Sequence, residues 1–506
     1  MGCGTSTIVP ANEPSAQKTM KAALLIQMWY RRYLARLEAR RRYTWNIFQS
    51  LEYADEQDQL RLYNFFNDMI SQLHLSSENS DDNQQNSLLS LLRMPSRPDT
   101  EMKNGEDEDA NLYKHTDPQT IVVPMTYKGP RLDYPLKLDH VQCLIDAFKG
   151  RQVLHAHYLL ELLHETRRIL KMNSIISHVH TRISQQVTVV GDLHGKLDDL
   201  LIIFYKNGLP EARNPYVFNG DFVDRGPNSV EVAVLLFACL LVNPLSVYIN
   251  RGNHEDHVMN LRYGFIKEIM TKYKGHATKL IRLFGDVFSW LPMATVIDDK
   301  ILVCHGGISN RTDLDYLKTI DRHKYISILR PPTSSRDGYD SDDSDYNDDI
   351  TEWQQVLDLL WSDPRPTCGC SMNTFRGGGS YFGPDVTKSF LAKHGLELLI
   401  RSHECKPEGY EFDHDNQVLT VFSASNYYEV GSNRGAYVKL GANLKPRIVQ
   451  YMATKQAGRK LTIKQRVSYV EASALRSLRE KLYASKTILL EEFQKRDPDN
   501  TGKLLS

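Results

Sequence analysis

The sequence predicts an α/β fold, and three observations support this prediction. Five short apolar runs of β-type residues, the first at 187–190, each end directly in a polar motif. Helical periodicity covers Leu138–Phe148 and Val153–Leu170. The chain has 506 residues, of which 41% are apolar, so it can bury a large core and is expected to hold more than one domain.

The overall composition limits the class of protein. Lys and Arg total 62, as do Asp and Glu, and this balance argues against a chain built to coat nucleic acid. The seven cysteines are scattered without a C-x-x-C pair, which is typical of a reducing compartment. No run reaches the roughly 18 apolar residues of a membrane span, and no secretory pattern opens the chain. A cytoplasmic location is therefore expected.

The N-terminus carries a pattern typical of acylation. Gly2 follows Met1, and Ser6 stands at the position that favours myristoylation of Gly2. Cys3 offers a site for a second acyl chain, and two chains are needed for stable anchoring. We expect residues 1–20 to form a tail that associates with membranes when acylated. The alternative is an unmodified tail.

The segment 21–73 is predicted to be helical, beginning with a basic amphipathic helix. Four of its residues resemble, in type and spacing, the IQ motif that docks into calmodulin-like proteins: Ile26, Gln27, Arg31 and Arg36. An apolar stripe with a cationic collar suits an acidic, Met-lined groove, so calmodulin is the expected partner. The alternative is a helix that packs on the rest of its own chain.

Two stretches are predicted to lack regular structure. Residues 74–128 are rich in Ser, Asn, Asp and Glu with little periodicity, which indicates a polar linker. The acidic stretch 331–350 interrupts the following domain and is expected to be a disordered surface loop. Calcium or a basic partner is an alternative ligand of that loop.

Polar motifs follow the five apolar runs. The runs are Val187–Val190, Tyr216–Phe218, Val247–Ile249, Ile301–Cys304 and Leu396–Ile400, and the motifs after them are GDLHG, GDFVDRG, RGNHE, HGG and RSHE. Ligands of α/β proteins collect beyond the carboxyl ends of strands, so we expect the five motifs to converge on one site.

The residues in these motifs form a mixed oxygen and nitrogen ligand set. It consists of Asp192, His194, Asp221, Asn253, His305 and His403, and it suits divalent cations such as Mn, Fe or Zn. A lone buried Asp or His is more often a hydrogen-bonded structural residue. Five such motifs in order argue against that alternative, because isolated polar groups are costly in an apolar core.

In this order the five motifs resemble the signature of the phosphoprotein phosphatase family. The resemblance covers 129–455 and extends to supporting segments such as Trp361–Pro364 and Phe382–Asp385. It implies a calcineurin-like metallophosphoesterase β-sandwich flanked by helices, with the IQ-like helix ahead of it. That helix, together with the C-terminal sequence, is similar to the EF-hand-containing branch of the retinal degeneration C type.

The resemblance also implies roles for individual residues. One metal would be held by Asp192, His194 and Asp221, and a second by Asp221, Asn253, His305 and His403. Two divalent cations per subunit, with manganese expected and iron, zinc or magnesium as alternatives, would lower the pKa of a shared water and clamp the phosphoryl oxygens. His254 would be the general acid, oriented by Asp224. The predicted phosphate-binding residues are Arg225, Arg376, Tyr427 and Arg401.

Two positions depart from the family pattern, and neither is a predicted metal ligand. Ser425 stands where relatives usually have Pro, and Tyr428 replaces a Cys that is common beside the cleft Tyr. Inhibitors that react with that Cys are therefore not expected to act here.

The segment 456–506 is expected to be helical and to end in an incomplete EF-hand. Asp497, Asp499 and Thr501 match the first, third and fifth ligand positions of a calcium loop, with Gly502 at the sixth. The sequence ends at Ser506, before the twelfth position, where a bidentate Glu completes calcium coordination. It thus resembles a family member truncated within its first EF-hand, and we expect calcium to bind there poorly.

The predicted function is hydrolysis of phosphoserine and phosphothreonine in proteins, with regulation linked to calmodulin. A second enzyme hypothesis keeps the two-metal site but assigns it small phosphoesters or dinucleoside polyphosphates. A third hypothesis, from another class, is a catalytically weak calmodulin-binding scaffold. The intact ligand positions favour the enzyme.

Overall fold

The computed structural model describes residues 23–32, 35–36, 42, 49, 105–329 and 343–453. Residues 23–32 are helical and their side chains are exposed. The predicted acylation sites, nearly all of 44–104, and 456–506 with its calcium-loop positions lie outside the described residues.

Helices make up much of the described chain after residue 104. They are α1 Gly105–Thr116, α2 Leu138–Lys149, α3 Ala156–Met172, α4 Thr181–Ser184, α5 Leu197–Asn207, α6 Ser229–Val242, α7 His257–Tyr263, α8 Phe265–Lys272, α9 Ala277–Ser289, α10 Leu314–Leu317, α11 Asp343–Trp361 and α12 Pro384–His394. The two helices predicted from periodicity correspond to α2 and α3.

The strands are short. They are β1 Ile176–Val179, β2 Gln186–Val190, β3 Tyr216–Phe218, β4 Val247–Ile249, β5 Ala294–Ile297, β6 Ile301–Cys304, β7 Asp363–Pro364, β8 Cys370–Met372, β9 Ser380–Phe382, β10 Leu398–Arg401, β11 Tyr410–Asp413, β12 Val418–Val421, β13 Gly435–Gly441 and β14 Pro446–Tyr451. The five strands predicted before the polar motifs are all present, as β2, β3, β4, β6 and β10.

Two sheets form the centre of the fold. One has the order β1-β5-β6-β10-β12-β11 and the other the order β14-β13-β2-β3-β4, while β7-β9-β8 make a small third sheet. Residues of both large sheets, including Val189, Val217, Val303 and Ile400, pack into one buried cluster. The predicted β-sandwich is thereby confirmed.

Helices cover the outer faces of the sandwich, as predicted. Helix α6 is apolar on almost every side, and it is buried along most of its length against α2, α3 and β4. A helix of that composition is stable only when it is enclosed. A separate apolar cluster around Trp361 and Phe382 covers the other sheet. Within the described residues, no helix combines the length and apolar character needed to cross a bilayer.

The prediction of a linker over 74–128 is wrong for its C-terminal part. Residues 105–116 form α1, whose Leu112 and Thr116 are buried. Asp109 accepts hydrogen bonds from Arg167 and Lys171 of α3. Tertiary contacts thus order a segment whose composition alone is too polar to predict a packed helix.

The prediction of a disordered loop over 331–350 is also wrong in part, because α11 begins at Asp343. Farther along, Val356 and Leu359 are buried, and the Trp353 indole N–H donates to the carbonyl of Ile328 at 2.7 Å. The apolar half of the helix therefore extends the ordered structure back into the acidic stretch.

Candidate active site

The predicted ligands lie at the carboxyl ends of strands from both large sheets. Strands β2, β3 and β4 are mutually parallel, as are β6 and β10, so their following loops emerge at common edges. Asp192, after β2, forms a parallel bridge with Phe422, just beyond β12. The two sheets therefore meet at this end, and the site lies on their seam.

One set of ligand atoms surrounds the end of the Asn253 side chain. Its Oδ1 lies 2.9 Å from Nε2 of His305 and 3.0 Å from both Nδ1 of His403 and Oδ2 of Asp221. Hydrogen bonding alone would favour the amide nitrogen facing these acceptors, whereas a cation among them favours the oxygen. Asp221, His305 and His403 form a buried group able to hold a metal.

A second set shares Asp221. Nε2 of His194 lies 3.7 Å from Oδ2 of Asp221 and 3.8 Å from Oδ2 of Asp192. A second buried group able to hold a metal combines His194, Asp221 and His254. Because Asp221 belongs to both sets, it occupies the position of a bridging ligand.

Backbone carbonyls orient two of the imidazoles. Nδ1–H of His194 donates to the carbonyl of Val223 at 3.1 Å, and Nδ1–H of His305 donates to that of Asn219 at 2.8 Å. Each bond leaves Nε2 as a lone-pair donor toward the carboxylates, as metal-binding imidazoles require. Nε2 of His403 is buried with no hydrogen-bond partner in the described part of the chain. The nitrogen of His403 that faces the ligand set is Nδ1, which lies 3.0 Å from the end of the Asn253 side chain.

The electrostatics fit bound cations. Burial, together with the charge of Asp221, raises the pKa of Asp192 to about 8. Burial and neighbouring cationic side chains lower the pKa of His194 and His403 well below the ordinary value. Imidazoles that stay neutral are ready to coordinate, and cations would stabilise the crowded carboxylates. The cavity between these groups measures about 20 Å³.

The backbone is strained at several of the predicted site residues. His194, Asp221, Asp224, Arg225 and His403 all have positive φ, between 42° and 69°. Non-glycine residues rarely adopt this conformation, and it persists at functional sites because the surrounding structure enforces it.

The close approach of the second and third motifs requires a glycine. A Cβ added at position 252 would lie 2.3 Å from Oδ1 of Asp221 and 2.5 Å from its backbone nitrogen. Gly252 therefore allows the loop that carries Asn253 to pack directly on the bridging carboxylate.

His254 and Asp224 form a buried dyad beside the metal ligands. Nδ1 of His254 lies 2.9 Å from Oδ2 of Asp224, which also accepts from the Asn260 amide at 3.0 Å. The other carboxylate oxygen accepts from the Phe265 N–H. With Nδ1 held by Asp224, the Nε2 atom of His254 faces the cavity. Burial lowers the pKa of His254, and an incoming phosphate dianion would act in the opposite direction.

Three of the four predicted phosphate-binding residues border the cavity region. Arg376 and Tyr427 line the ligand cavity, and Tyr427 also lines an adjacent one with Arg225. The Arg225 guanidinium stacks on the Tyr263 ring at 4.3 Å. Arg401 is fully buried instead, donating to the Gly306 carbonyl, Glu404 and Asp363. These contacts do not support direct phosphate binding by Arg401.

Two functional residues were not predicted from the sequence. Glu255 is fully buried and accepts the backbone N–H groups of Asp221, Phe222 and Gly252 at 2.8 to 3.0 Å. It therefore ties together the loops after β3 and β4.

Asp363 is the second unpredicted residue. It accepts from Nε of Arg376 at 2.5 Å and from Nη2 of Arg401 at 2.8 Å. Its charge thus holds Arg376 at the cavity. Both acidic residues stood within recognised motifs, but only tertiary contacts reveal what they support.

Comparison with sequence families yields two matches. Residues 186–407 match the family described as calcineurin-like phosphoesterase. Residues 103–178 match the PPP5 TPR repeat region, a span that includes α1.

Similar proteins extend over nearly the whole chain. The mouse protein "Serine/threonine-protein phosphatase with EF-hands 2" is 45% identical, with 99% of this chain and 78% of the relative aligned. "Serine/threonine-protein phosphatase rdgC" of Drosophila melanogaster is 46% identical, over 96% of this chain and 69% of its own. A solved Saccharomyces cerevisiae protein serine/threonine phosphatase with similarity to human PP5 has a TM-score of 0.53 at 30% identity, covering 62% of this chain and 95% of its own.

Proposed function

The chain belongs to the family of serine/threonine-protein phosphatases with EF-hands, and from this premise we propose how its residues hydrolyse phosphoserine and phosphothreonine in proteins. The observation that carries the proposal is the junction of two ligand sets at Asp221, directly beside the His254–Asp224 dyad. The enzyme is a metal-dependent phosphatase, and we propose manganese as the metal of both sites.

The protein side chains supply positioning and a proton. When bound, two divalent cations provide Lewis acidity for the attack of water and for the charge on the phosphoryl oxygens. His254 donates a proton from Nε2 to the departing Ser or Thr oxygen, while Asp224 holds Nδ1 and stabilises the charged imidazole. The P–O ester bond breaks, and the products are inorganic phosphate and the free hydroxyl.

Arginines hold the phosphoryl group in line. Arg376 lies at the cavity with its Nε and Nη2 tied to Asp363, which fixes the guanidinium plane. Arg225 approaches from the side of Tyr427. A planar guanidinium matches phosphate oxygens and keeps its charge at any working pH, so these two residues suit substrate binding better than lysines would.

The test compares two substrates and two histidine variants. Wild-type protein, His254→Asn and His164→Asn are assayed for phosphate release from a phosphothreonine peptide and from p-nitrophenyl phosphate, with Mn²⁺ and then with EDTA. Loss of a general acid lowers kcat on the peptide by about 10²- to 10⁴-fold. The nitrophenolate leaves without protonation, so its hydrolysis falls less. The matched control is His164, which lies in α3 and is hydrogen-bonded to Thr116.

Three results would contradict the proposal. They are activity that survives EDTA, an equal loss on both substrates in His254→Asn, and an equal loss in His164→Asn. Folded protein without activity under any divalent metal would favour the scaffold hypothesis.

We also propose that the IQ-like helix binds calmodulin. The support is that its apolar residues are exposed, with Ile26 and Leu25 each 67% exposed and Trp29 66% exposed. Arg31 and Arg36 are exposed as well, which suits an acidic groove. Titrating calmodulin into the full chain, with and without calcium, should give saturable binding that Ile26→Asp abolishes. Binding that survives this substitution would refute the assignment.

Acylation of Gly2 and Cys3, with a cytoplasmic protein held at membranes, is a further proposal from the sequence pattern. Metabolic labelling with a myristate analogue should mark the wild type and not Gly2→Ala. Equal labelling of the two would exclude Gly2 as the site.

A further inference from the structure

A second cavity adjoins the metal-ligand cavity. It measures about 430 Å³ and shares Tyr427 with the smaller one. Its wall includes Lys196, Arg225, Arg262, Tyr263 and Tyr428. A space of this size exceeds what the scissile phosphate needs and can hold side chains of a bound peptide.

The wall of this cavity is cationic. Three of its side chains carry a positive charge, and none of the described residues that line it carries a carboxylate. The chain as a whole has zero formal charge, so the excess is a local feature. A concave surface of one sign concentrates groups of the opposite sign.

Two of the cations stand apart from the phosphate-binding machinery. Lys196 and Arg262 line the second cavity but not the ligand cavity. Nζ of Lys196 donates to the carbonyl of Asn426 at 2.8 Å, which holds the ammonium beside Tyr427. The backbone N–H of Arg225 donates to the carbonyl of Tyr263, the residue after Arg262, at 2.9 Å. The Lys196 charge is thereby fixed relative to the site of hydrolysis, and the backbone next to Arg262 is tied to that of Arg225.

We propose that this cavity is a specificity subsite that binds a Glu or Asp of the substrate, next to the phosphorylated residue, through Lys196 and Arg262. The inference rests on the proposed function, since it concerns the same peptide. The tyrosine rings provide flat apolar walls for the peptide stem, while the two cations select the acidic end.

The test uses peptides with a single phosphothreonine among neutral residues. Four versions each carry one Gln→Glu exchange, at one of the two positions on either side. We expect at least one exchange to raise kcat/KM by about five- to tenfold. This gain is larger than an exposed ion pair gives and smaller than a buried one gives. The preference should fall as salt is raised.

Variants assign the preference to the two side chains. Lys196→Gln with Arg262→Gln should bring the ratio for Glu over Gln close to one, and Lys196→Glu with Arg262→Glu should favour a Lys-containing peptide. Arg213→Gln, at an exposed position before β3, is the matched charge control and should keep the wild-type ratio. Hydrolysis of p-nitrophenyl phosphate normalises each variant for its catalytic centre.

The outcomes separate the two proposals. Active enzyme that shows no preference for Glu at any position, or a preference that survives in the double Gln variant, would overturn the subsite alone. No hydrolysis of any substrate with any divalent metal would overturn the proposed function and the subsite with it.

Discussion

Replacing Glu255 with Gln tests whether one buried carboxylate holds two ligand-bearing loops together. Its Oε2 accepts the N–H groups of Asp221 and Gly252, each at 2.8 Å, and its Oε1 accepts that of Phe222 at 3.0 Å. The amide oxygen of Gln can keep two of these bonds. The amide nitrogen must then face the Phe222 N–H, so two donors oppose each other.

The size of the effect follows from these contacts. A hydrogen bond to a charged group contributes about 1.5–3 kcal/mol, and the two retained bonds lose their charge assistance. We expect Glu255→Gln to lower the free energy of unfolding by about 2–4 kcal/mol, which leaves most domains folded. Because the same loops carry Asp221 and Asn253, Mn²⁺ affinity should fall by about 10- to 100-fold, as for other residues that support metal ligands.

Urea denaturation of the chelated protein measures the first quantity, and calorimetric titration with Mn²⁺ measures the second. Glu268→Gln is the matched control, because Glu268 accepts the backbone N–H groups of Ser229 and Val230 at 3.0 Å, at the start of α6. It should lose stability and keep wild-type Mn²⁺ affinity. The reasoning fails if Glu255→Gln binds Mn²⁺ as tightly as the wild type, or if both variants weaken binding equally.

Three further changes give distinct results. Gly252→Ala should abolish turnover and weaken Mn²⁺ binding. Gly285→Ala, in α9 with open space around it, should keep activity and raise the free energy of unfolding by up to about 1 kcal/mol. Burial raises the pKa of Asp199 from 3.8 to about 7, so its ionisation lowers the free energy of unfolding as pH rises from about 4 to about 7. Urea melts of Asp199→Asn should therefore show stability that increases relative to the wild type across that pH range. Parallel stability curves for the two proteins would contradict this. Asp363→Asn should raise the inhibition constant of inorganic phosphate about tenfold, because Arg376 loses its charged support, and an unchanged constant would refute that role.

The convergence of the motifs could be predicted from the sequence where a polar residue directly follows an apolar run. Asp192, Asp221 and His305 each stand within three residues of a strand end, so the position of each side chain depends on one short element. Parallel pairing then brings the ends together. Local signals of this kind can be read along the chain.

Features that depend on distant partners could not be predicted in this way. Helix α1 has few apolar residues and is ordered by ion pairs with α3. Arg401 belongs to a motif and was expected to contact phosphate, yet its donors are taken by the protein interior. Lys196 and Arg262 lie 66 positions apart and share a cavity only in the folded chain.

The division of the ligands between two sheets has a consequence for quality control of the enzyme. Asp192, Asp221 and Asn253 follow strands of one sheet, whereas His305 and His403 follow strands of the other. A chain whose sheets have slipped against each other presents only half a coordination set. Retention of metal therefore reports correct folding. A misassembled sandwich has no enzymatic activity, even though its catalytic residues are unchanged.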